Sequence, residues 1–254
     1  MNTIYTAVIL LSLLSCLTTF LGVVLALLLR ENRRAIAAGM GFSVGIMVLI
    51  STVELIPEAI AAMGASNTVT NVALGAALLW VAHLVIPHTH LFPETGLTNR
   101  VLIKAAYLLP LGLILHDVPE GFAMANAYVA APALGVLVAV AIALHNLPEE
   151  FAMAVPVMLL RSKRLLFGAA FLSALAEPLG AILGLLAVSV APSLNAHFMA
   201  FAAGAMLFVS IHELIPMARR YRHLGQFLGG TVLSALVYWL LARLTVVLPV
   251  AGAP

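Results

Sequence analysis

Two stretches of this chain repeat one chemical pattern: His116-Asp117-Val118-Pro119-Glu120 and His145-Asn146-Leu147-Pro148-Glu149. In each, a His precedes a Glu by four residues. On a helix that spacing stacks imidazole and carboxylate on one face, a turn apart. Such pairs converging from two helices supply the nitrogen and oxygen donors that a divalent transition metal takes. Either motif alone also reads as a buried His–Glu hydrogen bond, which explains their recurrence poorly.

The elements that must position these groups are membrane spans. The chain has 254 residues, 63% hydrophobic and only 9% charged, with a mean hydropathy of +1.14. A soluble domain carries about a quarter charged residues, so a soluble fold is excluded. Apolar runs of about 20 residues or more predict eight helices, near 5–29, 36–62, 72–90, 101–128, 133–159, 166–191, 196–218 and 224–249. They leave room for one transmembrane domain over 1–254. The first run lacks a basic stretch ahead of it and reads as a retained helix. The single Cys16 rules out a multi-cysteine zinc site within the chain.

Basic residues cluster after alternate spans: Arg30, Arg33 and Arg34; Arg100 and Lys104; Arg161, Lys163 and Arg164; Arg219, Arg220 and Arg222. The loops at 63–71, 129–132 and 192–195 carry none. The positive-inside rule then places both termini outside. Arg243, the exception, lies near an outer helix end where it can snorkel. A second repeat relates Phe42, Gly45, Met47, Ser51 and Glu54-Leu55-Ile56-Pro57 to Phe201, Gly204, Met206, Ser210 and Glu213-Leu214-Ile215-Pro216. The topology runs these two helices in opposite directions. Helices 1–3 and 6–8 are therefore expected to form inverted triplets around helices 4 and 5, a 3+2+3 plan of the kind transporters use.

Eight of the ten acidic residues fall inside predicted spans: Glu54, Glu58, Asp117, Glu120, Glu149, Glu150, Glu177 and Glu213. A charge at mid-bilayer costs about 3 kcal/mol or more, and the spans offer almost no Lys or Arg to offset it. Such carboxylates are either protonated or hold a mobile cation. His116, Glu120, His145, Glu149 and Glu177 sit near mid-span. Glu54 and Glu58 lie roughly 8–13 Å towards the outside, and His212 with Glu213 a comparable distance inside. Together they read as a cation path. Pro119 and Pro148 free the carbonyls of Leu115 and Leu144, either kinking the helices for packing or opening backbone towards a cavity.

These residues resemble the ZIP (Zrt/Irt-like) divalent-metal transporters, bacterial members above all. The resemblance spans all eight predicted helices and is carried by the two H-x-x-P-E segments, Ala176-Glu177-Pro178-Leu179-Gly180 and the two E-L-I-P segments. It implies a two-metal centre between helices 4, 5 and 6. His116, Glu120, His145 and Glu149 would form one position; Asp117, Asn146 and Glu177 its neighbour, with Glu120 and Glu149 bridging. It also implies an elevator-like shift of one helical block against another. Two departures stand out. Asp117 occupies a place usually held by Asn, while Asn146 stands where Asp or Asn is found. Glu150 replaces a usual Gly, as a ligand or behind the ligands. His88 and His90, with Glu94, lie in a loop where the family often collects metal; solvated loop residues are the alternative.

The expected function is uptake of a divalent metal into the cytoplasm, zinc foremost, with iron, manganese, cobalt or cadmium compatible with the same donors. The metal is cargo, and no prosthetic group is expected. Lipid is the surrounding partner, no nucleic acid is expected, and a homodimer is compatible with the sequence. A bacterial inner membrane fits the short loops. The alternative is an intramembrane zinc hydrolase or protease, against which Pro216 interrupts the H-E-x-x-H pattern begun by His212-Glu213.

Overall fold

The computed structural model describes residues 2–29, 32–85, 116–158 and 163–247. Apolar stretches with few breakers fold as long helices, since a chain in hydrocarbon must satisfy its backbone internally. Helix α1 is Asn2–Leu29. Helix α2 covers Arg33–Leu49, a π-helical segment Ile50–Leu55 and Ile56–Met63. Helix α3 is Ala65–Val85, α4 comprises 116–130, α5 is Pro132–Met158 and α6 is Lys163–Val190. Helix α7 runs Asn195–Val209, then a π-helical segment Ser210–Leu214, then Ile215–Arg220; α8 is Leu224–Val247. Among the described residues, seven helices are long and apolar enough to cross a membrane. The rest of the fourth expected span lies outside the described residues, as do Arg100, Lys104 and the His88/His90 loop.

The helical pattern in the sequence missed the two π-helical segments. Each ends just before the repeated Ile-Pro step: Ile56 N–H donates to the Ser51 carbonyl, and Ile215 N–H to the Ser210 carbonyl. Pro57 and Pro216 follow at once. A proline clashes with the carbonyl four residues earlier; the wider π turn ahead of it re-routes the ladder.

Packing separates the helices into two groups. Helix α1 lies along α5 and α6, while α2 lies along α8 and α3 along α7. Helix α2 also meets α5. Helix α4 returns into α5 through Ala131, and it reaches α6 through reciprocal glycines. A Cβ at Gly121 would fall 2.0 Å from the Glu177 carbonyl oxygen, and one at Gly180 2.1 Å from that of Val118. Only glycine allows backbones this close. Leu13, Trp80, Phe171 and Leu236 stand exposed on the outer surface, an apolar exterior suited to lipid.

Near the site, side chains of other helices reach backbone carbonyls beside two prolines, and at Pro178 the carbonyl reached is the one the proline frees. Pro178 lies inside α6, and the Cys16 thiol of α1 donates to the carbonyl four residues before it, at Ala174, at 2.7 Å. Beside Pro148 of α5, the Ser43 hydroxyl of α2 donates to the His145 carbonyl at 2.9 Å. The Leu115 carbonyl expected to be freed by Pro119 lies outside the described residues. Cys16→Ala should cost about 1 kcal/mol, the worth of one hydrogen bond, measured by thermal unfolding in detergent. In a Pro178→Ala background the restored amide can serve Ala174, and the same substitution should cost little. Equal costs in both backgrounds would detach the thiol from the proline.

Candidate metal centre

Helices α4, α5 and α6 bring His116, Asp117, Glu120, His145, Asn146, Glu149 and Glu177 together, each at most 4% exposed. Among the described residues no Lys or Arg is buried, so no fixed cation neutralises the four carboxylates in this set. The turn-apart spacing on α4 puts His116 Nε2 at 3.3 Å from Glu120 Oε1, and α5 brings Glu149 Oε1 to 2.7 Å from the same nitrogen. His145 Nε2 lies 3.0 Å from Glu120 Oε1. Its other nitrogen, Nδ1, is 2.9 Å from the Ala141 carbonyl and donates to it. The neutral ring therefore presents the Nε2 lone pair to Glu120. Two acceptors at that distance require a cation between them or a proton on one, and a ring anchored through Nδ1 is the usual posture of a metal-ligating His.

Two donor groups result. One atom each from His116, Glu120 and Glu149 lie within 4.8 Å of one another, and so do single atoms from Asp117, Glu120 and Glu177. Glu120 belongs to both. The outer oxygens Glu120 Oε2, Glu149 Oε2 and Glu177 Oε2 are buried without a hydrogen-bond partner. Asn146 Nδ2 donates to Glu177 Oε1, which places Asn146 at the second group.

Glu150 turns towards α6, where the Ser173 hydroxyl lies 2.5 Å from its Oε1 and 2.6 Å from Asp117 Oδ2. Sequence reasoning overlooked Ser173, although it precedes Glu177 by one helical turn and so shares its face. The other expected pathway residues lie outside both groups. Glu54 accepts a hydrogen bond from Tyr238 of α8, Glu58 is exposed, and Glu213 pairs with His83 of α3 at 2.9 Å. The His212 ring stacks on Phe208 with centroids 4.5 Å apart. His83 had no partner in the sequence; only the α3–α7 packing reveals one. His88 and His90 lie outside the described residues.

Apolar helices closed around a buried cluster of imidazoles and carboxylates, with no Lys or Arg buried among the described residues, define a polytopic membrane protein built about a candidate metal site. The family model described as ZIP Zinc transporter matches residues 94–248. A zinc transporter ZupT of Corynebacterium aurimucosum is 38% identical over 224 residues, covering 81% of this chain and 84% of that protein. The ZupT of Chlorobium limicola is 33% identical over 251 residues, 91% and 94% of the two chains. That of Escherichia fergusonii is 38% identical over 219 residues, 82% and 85%. The chain belongs to the ZIP family of zinc transporters.

Proposed function

We infer that this protein carries a divalent transition metal, zinc foremost, across a bacterial inner membrane into the cytoplasm, with the metal as cargo. One observation carries the reading: Glu120, fully buried, is shared by two adjacent donor groups, and no Lys or Arg is buried among the described residues. His116, His145, Glu120 and Glu149 hold the first metal. Asp117, Asn146 and Glu177 hold the second with Glu120, and the unpartnered Glu149 Oε2 is available to bridge as well. Glu54 and Glu58 lie on the outer approach, His212 and Glu213 on the inner one, and His88 and His90 collect metal at the cytoplasmic side. The metalloenzyme alternative has no support: the family is one of transporters, and Glu213, its candidate base, is paired with His83.

The architecture we propose is one transmembrane domain over 1–254, with eight spans as inverted triplets around α4 and α5. Several features support it. Both E-L-I-P segments carry the same π-helical turn. The repeat-matched Gly45 and Gly204 both admit a close neighbour, Ser234 of α8 and Val72 of α3. The pairings α2 with α8 and α7 with α3 are related by the repeat. All proposed ligands lie on α4, α5 and α6, the group distinct from the α2, α3, α7, α8 frame, an arrangement suited to one block sliding on the other. Both termini are placed outside. In a Cys16→Ser background, Ser66→Cys and Leu194→Cys should react with impermeant thiol reagents from outside and Ser162→Cys should not; the reverse pattern would invert the transport direction.

Flux decides the function. Purified protein in sealed liposomes should accumulate zinc or cadmium down an imposed gradient, with saturation and with competition among divalent ions. Uptake should slow as external pH falls, because protons and metal compete for the same ligands. Tight binding with no flux under any gradient would defeat the transport reading.

A further inference from the structure

The candidate ligands come from α4, α5 and α6, but a fourth helix closes on them. Helix α1 lies along α5 and α6, and two contacts fix its register. The Cys16 thiol donates to the Ala174 carbonyl at 2.7 Å. Further along α1, a Cβ at Gly22 would fall 2.6 Å from the Leu147 carbonyl oxygen and 2.7 Å from Glu150 Cβ. The α1 backbone therefore runs directly beside the segments that carry the site. Ala174 lies about one turn before Glu177 on α6, so the contact at Cys16 carries its neighbour Ser15 up to the Glu177 side chain. Ser15 and Glu177 both sit at the midpoints of their helices, Asn2–Leu29 and Lys163–Val190. The Ser15 hydroxyl lies against the Glu177 carboxylate.

The hydroxyls of α1 differ in what they bond. Ser12, Ser15 and Thr19 share one face and are each at most 2% exposed. A serine within a helix commonly returns its proton to a carbonyl of the preceding turn. Ser12 does so, donating to the Ile9 carbonyl at 2.8 Å, and Thr18 donates to the Ser15 carbonyl at 2.9 Å. Ser15 does not: its Oγ is buried without a hydrogen-bond partner. Glu177 is short of a donor in the same place. Asn146 Nδ2 donates to its Oε1, while Oε2 is buried without a partner. Leaving a buried donor or acceptor unpaired is costly, and here one of each is left over on adjoining side chains.

We propose that Ser15 is a positioning residue of the second metal position, its O–H donating to Glu177 Oε2. With Asn146 on one oxygen and Ser15 on the other, the plane of the carboxylate is fixed. Lone pairs on both oxygens remain for a cation. Ser15 acts through Glu177 and does not itself hold the metal. The proposal rests on the binuclear reading above and adds to that site a residue from α1.

Zinc binding to the full chain in detergent, read by competition against a fluorescent chelator of known affinity, tests this. Wild type should bind two zinc ions per chain. Ser15→Ala should weaken the second about tenfold or more and leave the first unchanged. Ser12→Ala, on the same face and as deeply buried but bonded within its own helix, should change neither. Glu177→Asp draws the carboxylate back from α1 by one carbon. In that background Ser15→Ala should weaken the second zinc little further, the non-additivity expected of residues in contact. If Glu177→Asp binds no second zinc, the comparison of Ser15→Ala with Ser12→Ala decides. An unchanged second zinc in Ser15→Ala would overturn the proposal. So would an equal loss of both zinc ions, or equal losses in the wild-type and Glu177→Asp backgrounds, since each means that Ser15 serves only the packing of α1. A wild-type chain that binds one zinc in total defeats the binuclear reading, and this inference with it, before any variant is made.

Discussion

Glu120→Ala should abolish uptake and strip both metals from the protein while the chain still reaches the membrane. Its Oε1 lies 3.3 Å from His116 Nε2 and 3.0 Å from His145 Nε2, and it is the one carboxylate common to both donor groups. Removing one partner from a buried charge cluster costs about 3–5 kcal/mol, roughly a hundredfold or more in metal affinity. Glu120→Gln keeps the shape but not the charge and should fail almost as badly. Glu149→Ala should empty the first position and weaken the second less, because Glu149 belongs to the His116 group and only its Oε2 is left to bridge. Metal per protein by elemental analysis and zinc flux in liposomes check both. Near-normal uptake, or one metal still tightly bound in Glu120→Ala, would remove Glu120 from its central place.

Gly121→Val should part α4 from α6 and lose the second metal before the first. The added Cβ would meet the Glu177 carbonyl oxygen at 2.0 Å, its carbon at 2.8 Å and the Ala181 nitrogen at 2.9 Å. All three are helix backbone and cannot rotate away. Overpacking of this kind costs about 1–3 kcal/mol. Here the strain is relieved by moving Asp117 and Glu120 away from Glu177, so the group spanning α4 and α6 opens first. Gly180→Val should act in the same way from the other side. Gly168→Ala, on α6 with nothing within 4 Å of the added carbon, should be neutral and serves as the control. Thermal unfolding in detergent and the number of zinc ions bound per chain distinguish the cases. Unchanged binding of both metals in Gly121→Val would mean that the α4–α6 approach does not set the site.

The candidate metal donors were legible in the sequence because their chemistry is local. A His and a Glu one turn apart share a face on any helix, and repeating that pair in two apolar segments already implied convergence. The spans, and the placing of Glu177 with the site, followed from hydropathy and from resemblance. What the sequence could not supply was every partner separated by long loops. Ser173 between Asp117 and Glu150, Cys16 on the carbonyl ahead of Pro178, Ser43 on the backbone of His145, and His83 on Glu213 are single polar residues in apolar runs. No spacing marks them, since each is defined by a neighbour on another helix.

The π-helical turns before Pro57 and Pro216 escaped the pattern for a related reason: one extra residue in a turn leaves hydropathy unchanged. The sequence by itself thus determined that this is a membrane protein with candidate metal donors inside its apolar segments, because composition and helical period depend only on nearby residues. Only the tertiary structure decided that Glu120 is shared by two groups, that Glu150 turns to Asp117, and that Glu54 and Glu213 are held by Tyr238 and His83. Those facts depend on how closely α4 approaches α6, and on which helix lies against which.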